Sequence, residues 1–86
     1  MHEASAIYTI RSQYSSLSTK EKQIADFILE NPKESVNPSI EELAERIGIS
    51  ESTMVRFAKK LGYSGYQRFR IALARETISA QQQLFE

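Results

Sequence analysis

The sequence predicts an all-α domain of five helices containing a helix-turn-helix of the wingless, homeodomain-like kind. Three observations lead there. Apolar residues recur at three- and four-residue spacing in the long segments. Capping boxes and glycine stops punctuate those segments. No stretch alternates apolar and polar residues over a useful strand length.

Each element follows from local chemistry. Ile7, Ile10 and Tyr14 stand at i, i+3 and i+7, which predicts a first helix over about residues 5–14. Ser18 opens the run S-T-K-E, a capping box with Glu21 at the third helical position, and Ile24, Ala25, Phe27 and Ile28 follow as an apolar stripe. Asn31-Pro32 ends this second helix, because the proline ring disfavours helical geometry in the residue before it. Residues 32–38 are expected to form a loop. Ser39 opens a second box, S-I-E-E, with Glu42 at its third helical position. Ile40, Leu43, Ala44 and Ile47 give that helix its buried face, and Gly48 ends it in the left-handed conformation. Ser50 caps a fourth helix that buries Met54, Phe57, Ala58 and Leu61 and stops at Gly62. A last helix begins near Tyr66 and buries Tyr66, Phe69 and Leu73. Tyr63, Tyr66, Phe57 and Phe69 have the spacing of core residues rather than of a base-stacking platform. Residues 1–76 form the domain in this reading. Residues 77–86, polar and rich in glutamine, start a linker or continue a helix whose partner is missing.

At 86 residues the chain is one domain and too short for a large two-domain enzyme. With 41% hydrophobic and 26% charged residues it has the makeup of an ordinary folded domain rather than a disordered one. It has no cysteine, so disulfides, thiolate metal sites and a cysteine nucleophile are excluded. Its single histidine, His2, sits at the terminus, which excludes a histidine metal cluster. No interior histidine or glycine-rich phosphate loop suggests catalysis, so no enzyme and no cofactor are expected. Glu41, Glu42 and Glu45 read as a solvated helix face and not as a catalytic carboxylate pair. No run of apolar residues is long enough to span a membrane, and no leader pattern precedes one, which makes the cytoplasm the default location. The zero net charge hides a polarity. Residues 50–75 carry six basic residues against Glu51 alone, a net of +5, and residues 1–49 carry −3. A basic face of this kind suits a polyanion. An adaptor that binds only protein has no need of it.

The richest pattern is Leu43-Ala44-x-x-Ile47-Gly48-Ile49-Ser50-x-x-Thr53-Met54-x-Arg56-Phe57. It has the spacing of a DNA-binding helix-turn-helix. Small Ala44 lets the second helix approach the first, Gly48 makes the turn, and Ile49 plugs the gap between the helices. The second helix, about residues 50–61, is then the recognition helix for the major groove of duplex DNA. The candidate DNA-binding residues are Ser39, Ser50, Glu51, Ser52, Thr53, Val55, Arg56, Lys59 and Lys60. Ser39 starts the first helix of the motif. Ser50 caps the second, whose free N–H groups attract a phosphate. Ser52 points toward base edges and Thr53 toward a phosphate oxygen. Glu51 complements the helix dipole, and as a base reader it accepts from cytosine. Val55 lies on the outer face. Arg56, one turn beyond Ser52, pairs with guanine or clamps a phosphate. Lys59 and Lys60 continue the basic run toward the backbone. Arg68, Arg70 and Arg75 cannot all share one face of the last helix, so at most two of them join this surface.

The whole run resembles the N-terminal helix-turn-helix domain of the RpiR family of bacterial transcriptional regulators. The resemblance rests on Ser39-Ile40-x-Glu42-Leu43-Ala44, on Ile49-Ser50-x-Ser52-Thr53-Met54-Val55-Arg56-Phe57, and on Lys60-Leu61-Gly62-Tyr63-x-Gly65-Tyr66-x-x-Phe69. Upstream, Leu17-Ser18-x-x-Glu21-Lys22-x-Ile24-Ala25-x-Phe27-Ile28 and Asn31-Pro32 fit as well. The core motif is also similar to LacI-type regulators, but those lack the Gly-Tyr-x-Gly-Tyr continuation. Gln67 and Arg68 stand where family members often carry an acidic residue. The resemblance implies binding to operator DNA near genes of sugar and phosphosugar metabolism. It also implies a C-terminal sugar-isomerase-like (SIS) domain, not contained in this chain, that senses a phosphosugar and helps form a homodimer or larger oligomer. Nothing within residues 1–86 is expected to bind the phosphosugar itself.

Overall fold

The structure is a computed structural model that describes residues 5–84, with side chains described through residue 77. The regular elements are α1 (Ala6–Gln13), a 3-10 turn (Tyr14–Ser16), α2 (Thr19–Glu30), α3 (Pro32–Val36), α4 (Ile40–Ile47), α5 (Glu51–Lys60) and α6 (Tyr66–Leu84). The all-α expectation holds, and both capping boxes form at Ser18–Glu21 and Ser39–Glu42. His2 lies outside the described residues.

The count of helices is a correction. The stretch expected to be a loop contains α3, so six α-helices stand among the described residues where five were expected. Asn31-Pro32 does end α2, and Asn31 leaves the helical region at φ −133°. The same proline then starts the next helix, because the first helical position needs no N–H. Buried Ser35 donates its hydroxyl to the Asn31 carbonyl at 2.7 Å, which closes the short turn. Five residues are too few for a periodic apolar signal. Their stability comes from α6, where Arg70 Nε donates to the Val36 carbonyl at 2.7 Å and Nη2 to the Asn37 carbonyl at 3.4 Å. A cation on the last carbonyls of a helix satisfies acceptors that have no intrahelical donor.

The core is a single apolar cluster drawn from five of the helices. Ile10, Ile24, Ile28, Leu43, Met54, Phe57, Phe69 and Leu73 are almost wholly removed from water. Phe69 is its aromatic centre. Phe57 meets it at 5.8 Å edge to face, Tyr63 at 5.5 Å edge to face, and Tyr66 at 6.2 Å tilted. The core reading of these four aromatics is therefore correct. Desolvation raises the Tyr66 hydroxyl above its ordinary pKa, although the nearby Arg70 opposes this.

The two ends of the chain are joined. Glu76 on α6 accepts from the N–H groups of Ala6 at 2.5 Å and Ile7 at 3.1 Å. A carboxylate here satisfies free donors and faces the positive end of the α1 dipole. The helix that supplies it runs unbroken through Leu84.

Replacing Arg70 with Met removes both bonds to α3 and keeps much of the side-chain bulk. We expect a loss of about 1–2 kcal/mol, with amide exchange accelerated first in α3. Native-state hydrogen exchange checks this, and equal acceleration in every helix would contradict it.

Candidate nucleic-acid interface

Helices α4 and α5 and the turn between them form the helix-turn-helix. Leu43 and Ala44 are buried, so α5 packs closely on the inner face of α4. Gly48 adopts φ 88°, a conformation in which a side chain is strained. The N–H groups of Gly48 and Ile49 both donate to the Ala44 carbonyl, at 2.8 and 3.0 Å, and so terminate α4. Ile49 is half-buried between the helices. At the far end of α5, Gly62 takes φ 103°, with Gly62 N–H donating to the Lys59 carbonyl and Tyr63 N–H to the Ala58 carbonyl. This paired closure turns the chain sharply toward α6.

Helix α5 has one buried and one open face. Met54, Phe57 and Ala58 point into the core. Ser52, Arg56 and Lys59 stand at i, i+4 and i+7 on the exposed side. Ser50 accepts from the Thr53 N–H at 3.2 Å, which makes it the N-cap. Its hydroxyl also bonds the hydroxyls of Ser52 at 3.1 Å and Thr53 at 2.8 Å. Glu51 is exposed in the first turn, next to the positive end of the dipole.

The structure redistributes four of the residues singled out from sequence. Thr53 is only 6% exposed, and its hydroxyl lies between Ser50 Oγ and Arg56 Nη2, the latter at 3.4 Å. It positions the start of α5 and is not presented to an outside phosphate. Val55 is half-buried, at the edge of the open face where it meets the core. Lys60 points away from the open face toward the start of α2. Its Nζ bonds Glu21 Oε1 at 2.9 Å and the Ser16 carbonyl at 3.0 Å. Ser39 is engaged by its own capping box, with Glu42 Oε1 at 3.3 Å from its N–H and 3.2 Å from its hydroxyl. Glu41 and Glu42 add negative charge at that helix start, which disfavours a phosphate there.

The Lys60 contact joins the end of α5 to the start of α2. Glu21 is the acceptor for both the Ser18 N–H and the Lys60 ammonium. The Ser18 N–H holds its carboxyl below the ordinary value, against the opposing effect of burial and with help from Lys60. Sequence reasoning missed this tether, the Arg70 clamp and the Glu76 cap. Their partners lie 39, 34 and 70 positions apart along the chain, beyond the reach of any local pattern. Of the six basic residues in 50–75, those that keep an open setting are Arg56 and Lys59 on α5 and Arg68 and Arg75 on α6. None of these four forms an ion pair among the described residues. Arg68 and Arg75 share one face, and Arg70 is turned to α3.

Comparison with known proteins agrees with this geometry. Residues 5–81 match the model of the helix-turn-helix domain of the rpiR family. The chain belongs to that family. An uncharacterized HTH-type transcriptional regulator of Thermotoga maritima is 42% identical over 69 residues, covering 79% of this chain and 25% of the relative. The uncharacterized HTH-type transcriptional regulator YfhH of Escherichia coli is 38% identical over 72 residues, covering 84% of this chain and 25% of the relative. The HTH-type transcriptional regulator HexR of Pseudomonas aeruginosa is 37% identical over 70 residues, covering 81% of this chain and 25% of the relative. The chain thus spans about a quarter of the length of these curated relatives. It is a DNA-binding helix-turn-helix domain of the transcriptional-regulator type. Among the described residues, no helix is long and apolar enough to cross a membrane.

Two outcomes follow from the Lys60–Glu21 contact. Lys60→Met is expected to lower stability by about 0.5–1 kcal/mol and to leave the salt dependence of DNA binding unchanged; a reduced salt slope would return Lys60 to the contact surface. Glu21 has a lowered pKa in the folded state, so its contribution is present above its unfolded pKa and is lost as pH falls through the folded value. Urea melts from about pH 6 downward should show a shallower acid-side loss in Glu21→Gln than in the wild type. Parallel curves would separate Glu21 from the acid sensitivity.

Proposed function

We propose that α5 is the recognition helix and enters the major groove of an operator duplex. The observation that carries this is the single open face of α5, where Ser52, Arg56 and Lys59 stand in line beyond a capped helix start. A helix presented N-terminus first, with short polar side chains in the first turn and an arginine one turn on, is suited to reading base edges. Arg56 is the base reader, and Thr53 positions it. Lys59 neutralises a backbone phosphate. The α5 start, capped by Ser50, faces another phosphate with its N–H groups. Ser52 approaches a base edge, and Glu51 complements the helix dipole. Ser39 caps α4, Val55 packs along the edge of α5, and Lys60 ties α5 to α2.

The wider role rests on family membership. In this reading residues 1–76 are the DNA-binding domain, and residues 77–86 lead toward a phosphosugar-sensing SIS domain elsewhere in the full-length protein. The protein is a cytoplasmic regulator of sugar or phosphosugar metabolism genes, and it acts as a homodimer or larger assembly. Two copies then contact half-sites about one helical turn apart, and their linkage supplies much of the affinity. Its role is regulatory rather than catalytic, as its relatives are regulators.

Fluorescence anisotropy on the chain's own upstream DNA and on a random duplex tests this. Binding should favour the upstream fragment and weaken linearly in log–log form with salt. Arg56→Ala is expected to cost about 1–3 kcal/mol on the operator and much less on the random duplex. Equal affinity of variant and wild type for the operator would remove Arg56 from base reading. Absence of binding even at low salt, with the domain dimerised through a fused leucine zipper, would overturn the DNA reading.

A further inference from the structure

A second cationic surface lies beyond the motif. Arg68 and Arg75 on α6 line a groove of about 500 Å³, together with Thr9 of α1 and the turn from Leu61 to Ser64. No carboxylate lines this groove, and neither arginine has an acidic partner among the described residues. Two guanidinium groups lining one groove without a counter-charge there favour an anion. Ile71 lies between them on the same face and is 47% exposed. One wall of the groove is the turn that directly follows α5, so the groove begins where that helix ends.

We propose that this groove holds the phosphodiester backbone of the duplex beyond the bases under α5, with Arg68 and Arg75 each neutralising a phosphate. The proposal rests on the placement of α5 in the major groove and extends the footprint to the start of α6. Spacing favours a polymer over a free phosphate. Positions seven apart on a helix are separated by about 10 Å along its axis, roughly three nucleotide rises of one strand. The Ser64 hydroxyl, on the groove wall nearest α5, supplies a neutral donor to the same strand. Contacts of this kind set register and affinity and carry no sequence information.

The test compares wild type, Arg68→Ala, Arg75→Ala and the double variant by anisotropy over a salt series. Each is measured on a random duplex with long flanks and on one trimmed to a single helical turn. Circular dichroism establishes that each variant is folded, and Arg68→Lys with Arg75→Lys keeps the charge. On the long duplex, the slope of log affinity against log salt should fall by about 0.9 for each alanine. The lysine variant should retain the slope, and on the trimmed duplex all variants should match the wild type. An unchanged slope on the long duplex in the folded double variant would overturn the groove assignment. Loss of operator preference in Arg56→Ala alongside that result would leave α5 as the reader and remove only the groove. If the wild type, dimerised through a fused leucine zipper, binds neither duplex at low salt, the placement of α5 fails and the groove proposal fails with it.

Discussion

The edge-to-face packing of Phe57 on Phe69 ties α5 to α6, and the geometry of the presented face depends on it. An aromatic pair of this kind combines large apolar burial with a preferred orientation. Tyr63 and Tyr66 close on the same ring from the turn, so α5, its C-terminal turn and the start of α6 share one centre. With Phe57 turned inward on one side of α5, Ser52, Arg56 and Lys59 must face outward on the other. The left-handed glycines on either side of α5, Gly48 and Gly62, let the chain reverse without strain, and the direction of that helix is thereby fixed at entry and exit.

The second determinant is the distribution of cations between internal and external partners. The basic run of residues 50–75 looks uniform in sequence, but the fold divides it. Lys60 holds α5 to α2, and Arg70 closes α3. These contacts fix the end of α5 to α2 and α6 to α3. Arg56, Lys59, Arg68 and Arg75 stay in open settings with no ion pair among the described residues. Within this run Lys60 is the cation paired with a carboxylate among the described residues, while Arg70, bonded to carbonyls, still contributes its charge to the field.

Hydroxyls are sorted in the same way. Ser50, Ser52 and Thr53 are close in sequence and similar in chemistry, yet Thr53 is turned inward. Its methyl group joins buried surface while its hydroxyl bridges the cap to Arg56. Arg56 thereby rests on the helix, an ordering that would lower the conformational cost of the base contact proposed for it.

Much of the fold was legible because local chemistry governs it. Ser18, Ser39 and Ser50 announce helix starts through caps that need only a hydroxyl and the N–H groups just beyond it. Gly48 and Gly62 announce stops because other residues resist positive φ. The apolar spacing then identifies Leu43, Met54, Phe57 and Phe69 as core, and the motif and family resemblance follow. The tertiary structure alone decided α3, which is too short to carry a pattern and depends on an arginine 34 positions away. It alone decided that Glu76 caps the first helix and that Lys60 faces Glu21. A sequence records which residues carry charge, and local rules place them on helices. Which charges are neutralised inside the molecule depends on how those helices pack, because a long side chain selects its partner by distance in space.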